Sequence, residues 1–236
     1  MASRDSLEIR NLLAKGTVVQ NYGSDTPTVI KLRYIGTGTV TSVTVTTATN
    51  IVMITSDGGT DTYAFNTLTT IGAVVDAINA DGIFEAKILD GLRSAASASR
   101  LLAGAISSVT DTDNMTTVWL VKLDTSTGLQ FAACLSPKRE FNAPAGHSVE
   151  LQEIKYSVNM GTAAVDSVQI FKRKGTLETQ IYSALSVDTT ETTINFAGGV
   201  GVLSGNVDEE FIVIVKDAAT LGDATGNYLQ VSGRIK

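Results

Sequence analysis

The sequence predicts a mainly β protein: an N-terminal α+β module, built as a sheet with one packed helix, followed by a C-terminal antiparallel β-sandwich. Three observations carry that expectation. Short runs with apolar residues at every second position recur from Thr28 to Ile235, as strands with one face in a core require. One stripe of period 3.6, formed by Ile71, Val74, Val75 and Ile78, interrupts them and marks a helix. Charged residues make up 18% and hydrophobic residues 43% of the 236, a balance that excludes a disordered chain.

The chain opens with an arm, residues 1–27. Asp5 and Glu8 have capping-box spacing, and Leu7, Leu12 and Leu13 precede Gly16, so a helix of two to three turns is expected. A helix this short is marginal in water by itself; it packs on its own domain or docks on a neighbouring subunit. The module then spans residues 28–136. Thr28 to Ile35 is a strand whose basic residues, Lys31 and Arg33, form a solvated face or protect an edge. Val43 and Val45 alternate with Ser42, Thr44 and Thr46, while Ile51 to Ile54 is a continuous apolar run that reads as a buried strand closed by Asp57-Gly58-Gly59. Tyr63 and Phe65 share a face. Thr69 or Thr70 caps the helix, Gly82 ends it, and Phe84, Ala86 and Ile88 resume the strand period.

Arg93 to Ala105 is a short helix or a surface excursion, and Asp111 to Asn114 is a turn. Thr117–Leu123 and Leu129–Leu135 read as a hairpin around Asp124-Thr125-Ser126-Thr127-Gly128, with Trp119 and Phe131 in the core. Pro137 and Pro144 then bracket a linker, residues 137–147, and residues 148–236 form the sandwich. Within it, Phe211, Val213 and Val215 face one way and Ile212 and Ile214 the other, so their strand is central or covered by a partner. Lys172-Arg173-Lys174-Gly175 is expected as a solvated hairpin tip, with contact to an acidic neighbouring subunit as the alternative.

The residues offer no recognisable reaction centre. His147, the only histidine, lies in the linker, where a general base would have nothing rigid to hold it. Cys134, the only cysteine, sits in an alternating run as a small buried hydrophobe. With one of each there is no zinc set. Asp111 to Asn114 lacks the glycine and glutamate of a calcium loop, and the same discount applies to Asp57 and Asp61. Gly198 to Gly205 lacks the lysine and the helix of a phosphate loop and reads as a mobile β-loop. Asn114-Met115-Thr116 is a glycosylation sequon by pattern alone. No catalytic, metal or cofactor-binding residue is therefore expected, and no enzymatic activity. The net charge of −6 opposes nucleic-acid binding, and no apolar run approaches the roughly 18 residues of a membrane span. The N-terminus lacks a signal-peptide pattern, so synthesis and folding in a cytoplasm are expected.

A resemblance rests on the order of strand, Gly58-Gly59-Thr60-Asp61 turn, aromatic strand, Leu68-Thr69-Thr70-Ile71 helix start, Asp76-Ala77-Ile78-Asn79 and following strand. This order resembles a small module recurrent in tailed-bacteriophage virion proteins. It is more distantly similar to the module of flagellar hook and flagellin proteins with an Ile-Asn pair at the helix end, here Ile78 and Asn79. The match covers roughly residues 30 to 92, and its motif consists of packing and turn residues. The resemblance implies a virion protein made in a bacterial host, whose partners are other virion proteins and further copies of itself. A capsid decoration or cement protein is the expected role, with a tail, neck or baseplate position as the alternative. The candidate intersubunit contacts are Leu7, Leu12, Leu13, Lys172, Arg173 and Lys174. A carbohydrate-binding module is the reading from another class; its partner would be a host-surface glycan met by Tyr156, Tyr182 and Tyr228.

Overall fold

A computed structural model of the chain describes residues 15–21, 28–112, 114–124, 130–135, 148–157, 164–188, 191–204, 209–217 and 228–235. Leu7, Leu12, Leu13, His147 and the 137–147 segment lie outside the described residues. The chain makes β1 (Lys15–Asn21), then β2 (Thr28–Tyr34), β3 (Val40–Thr46), β4 (Asn50–Thr55), β5 (Gly59–Ala64), helix α1 (Ile71–Asp81) and β6 (Phe84–Ile88). A short helix α2 (Ser97–Arg100) leads to β7 (Gly104–Ala105), β8 (Ser108–Asp111) and β9 (Thr116–Lys122). The remaining strands are β10 (Gln130–Leu135), β11 (Ser148–Ser157), β12 (Ala164–Lys174), β13 (Leu177–Asp188), β14 (Glu191–Ser204), β15 (Glu209–Asp217) and β16 (Tyr228–Ile235). The chain divides into two units, residues 26–127 and the segments on either side of them.

In the module, strands order as β6-β2-β9-β8 and β5-β4-β3-β7, so two sheets stand where the sequence pattern implied one. Their inward faces and α1 share one core. Ile30, Leu32 and Phe84 from the first sheet, Val43, Ile51 and Met53 from the second, and Ile71, Val74 and Ile78 from the helix are each at most 1% exposed. The expected helix stripe thus faces inward as a unit. Thr70 is the N-cap, its hydroxyl accepting from the Ala73 N–H at 3.2 Å. Gly82 ends the helix at φ 71°, and Gly59 closes the β4–β5 turn at φ 79°, both conformations that favour glycine. Trp119 is buried and meets the Phe84 ring edge-on at 6.1 Å.

The second unit has a specific wiring. Number its strands one to eight in chain order, from β1 and β10 to β16. The antiparallel pairs β1–β16, β10–β15, β11–β14 and β12–β13 are then one with eight, two with seven, three with six and four with five. Such a ladder is one long antiparallel ribbon. It wraps into two sheets, β1-β16-β11-β14 and β10-β15-β12-β13, joined internally by β11–β16 and β12–β15. This is the double Greek key of an eight-stranded jelly roll. Tyr182 on β13 packs edge-on against Phe196 on β14, with ring centroids 4.7 Å apart, and so ties an edge of one sheet to an edge of the other.

Several expectations are corrected here. Residues 1–27 are not an arm throughout, because Lys15–Asn21 is the first jelly-roll strand. β9 and β10 do not form a hairpin: β9 pairs with β2 and β8, and β10 pairs with β15 some 80 residues later. The expected domain border at residues 137–147 falls in sequence between β10 and β11, which belong to the same unit. Gly198 to Ser204 is strand, not loop. There the register jumps from Leu151 opposite Val200 to Glu153 opposite Asn195, and glycine suits the bulge that absorbs the extra residues. β15 does lie centrally, and Phe211, Ile212, Val213 and Ile214 are all at most 1% exposed.

Candidate interaction surfaces

The module is an insertion between the first two jelly-roll strands, and its two ends meet. Thr28, where it starts, stands opposite Lys122, where it finishes, and the Lys122 ammonium donates to the Thr28 hydroxyl at 3.1 Å. Domains with adjacent ends insert into host loops without stretching them.

Polar side chains in the module fasten backbone. Asn79 donates from Nδ2 to the Ala86 carbonyl at 3.0 Å and accepts at Oδ1 from the Ala86 N–H at 2.8 Å. Ala86 lies on β6, an edge strand, so the asparagine amide stands in for a missing neighbour strand and docks the helix there. That gives the Ile78-Asn79 pair a physical role: isoleucine enters the core and asparagine closes the edge. In the turn after β4, Asp57 Oδ2 accepts from the Tyr34 hydroxyl at 2.6 Å and from the Thr37 and Gly38 N–H groups at 2.9 and 2.8 Å. The Tyr34 bond, then the Gly38 bond, hold the Asp57 carboxyl far below the usual carboxylate range. Tyr63 donates to Asp81 Oδ2 at 2.8 Å; burial, then this bond, push its hydroxyl well above the ordinary tyrosine range.

The two outward faces of the module differ in chemistry. Across the first sheet, register places Glu85, Arg33, Val118 and Val109 in one row and Lys87, Lys31 and Leu120 in the next. Arg33 pairs with Glu85 and Lys31 with Asp111. β2 is flanked on both sides, so Lys31 and Arg33 occupy a solvated face and do not guard an edge. Across the second sheet the rows read Ala105-Thr44-Val52-Thr62, Ser42-Ile54-Thr60 and Thr46-Asn50-Ala64. This face carries neither a charge nor an aromatic ring. Along β4, Ile51 and Met53 are fully buried while Val52 and Ile54 on the outward side are part-exposed. The run expected to be buried throughout is therefore covered on one side only.

Lys172, Arg173 and Lys174 end β12, and Gly175 turns the chain at φ 59°. The tip is a hairpin as expected, yet Arg173 is not solvated; its side chain is 4% exposed. It stands opposite Glu178 on one side and Glu210 on the other, with Nη1 3.3 Å from Glu178 Oε1 and Nε donating to Glu210 Oε1 at 2.7 Å. Lys172 and Lys174 lie 3.3 and 3.6 Å from the Glu209 carboxylate. Three cations and three glutamates leave no net charge within this cluster. Sequence reasoning missed this because the glutamates arrive from β13 and β15, and only the register unites them.

No protein-family model matches the chain, and no curated protein matches it. Solved structures that match include two described as infectious bursal disease virus, Gx strain and Gt strain. Identity is 9% and 12%, with TM-scores of 0.23 and 0.22. Each match covers 95% of this chain, which spans 58% and 57% of those chains. Scores at this level establish no common fold.

Proposed function

We propose that the chain is a structural component of a tailed-phage particle, a decoration or cement protein that binds the capsid shell as a homo-oligomer and catalyses no reaction. The observation that carries the reading is the one-to-eight wiring of the second unit, an architecture used by viral capsid domains among others. Fold alone does not fix function; two further features support the choice. The inserted module resembles one recurrent in phage virion proteins. Its asparagine, aspartate and tyrosine side chains, like the charged row on β12, are engaged in holding strands and loops together rather than converging on a cleft. On a repeating shell, many individually weak contacts of such a protein add into firm attachment.

Jelly rolls also occur in lectins, which keeps a glycan-binding reading in view. Tyr182, part-exposed on β13, would be its platform, but one edge of its environment is already taken by Phe196. The deciding experiment is mass spectrometry of purified particles of the virus that encodes the chain, before and after stripping the shell. The chain is expected in intact particles in fixed stoichiometry to the major capsid protein. Its absence from intact particles removes the proposal. Its presence only in tail fractions moves it to the tail, neck or baseplate. Glycan-array binding lost in Tyr182→Ala favours the lectin.

A further inference from the structure

We draw no further inference here: the strongest candidate, the side-chain cluster beside the β4–β5 turn in which the Asp61 and Asp81 carboxylates flank Tyr63 and Asp61 Oδ2 is buried with no hydrogen-bond partner, carries nothing, because Asp61 as a whole is part-exposed and no third ligating side chain among the described residues joins the two carboxylates to say what that oxygen would hold.

Discussion

At the scale of single residues, the chain uses polar side chains as substitutes for backbone neighbours. Asn79→Ala removes both bonds to Ala86 and should destabilise the protein by about 1–2 kcal/mol in chemical denaturation. Asn79→Asp, which keeps the acceptor and loses the donor, should recover only part of this. Asp57 gives a pH prediction with a definite sign. A carboxyl depressed in the folded state contributes stability above its unfolded pKa, about 3.9, and loses it as pH falls toward the folded value. Because the folded value lies far below the usual range, Thr37 and Gly38 amide protection should survive acidification through pH 4 in wild type. Asp57→Asn, lacking the charge, should show faster exchange at those two amides already at neutral pH. Hydrogen exchange read by NMR checks both. The residues themselves were visible in the sequence as turn formers; their bonding was not, because Ala86, Thr37 and Gly38 are reached only after the strands have paired.

At the scale of elements, legibility followed locality. Helix α1, its Thr70 cap, its Gly82 stop and the β4–β5 turn are all set within a few residues, and each stands where period and turn chemistry place it. Partners distant in sequence were not legible. The Asp124 to Gly128 turn signal favours local closure between β9 and β10, whereas β10 pairs with β15, because alternation says that a strand has an inward face and says nothing about which strand lies beside it. β1 has only Val18 and Val19 to betray it. β15 was the exception, since apolar residues on both faces require a central position or a covering partner, and the first is found. Ile212→Ala should therefore cost about 2–5 kcal/mol. Arg173→Ala, which removes the guanidinium between Glu178 and Glu210, should cost about 3 kcal/mol, and Arg173→Met less than a charge-reversing Arg173→Glu. Urea denaturation of the three variants gives the ranking.

At the scale of the whole molecule, a jelly roll carries a second folding unit between its first two strands. Because Thr28 and Lys122 are paired and the module has its own core, residues 26–127 expressed alone should fold cooperatively with a dispersed amide spectrum. A collapsed, poorly dispersed spectrum would show that the module depends on its host. The same separation explains how the chain can offer distinct surfaces: a charged, ion-paired sheet face, an uncharged one, and the jelly roll itself. The most direct measurement of the proposed structural role is a cryo-EM reconstruction of the particle at a resolution where strands can be traced. If the chain decorates the shell, density for the eight-stranded wiring will stand at symmetry-related positions on the outside of the capsid, with residues 26–127 emerging between its first two strands. A particle whose shell, neck and tail densities are all filled by other chains would contradict it.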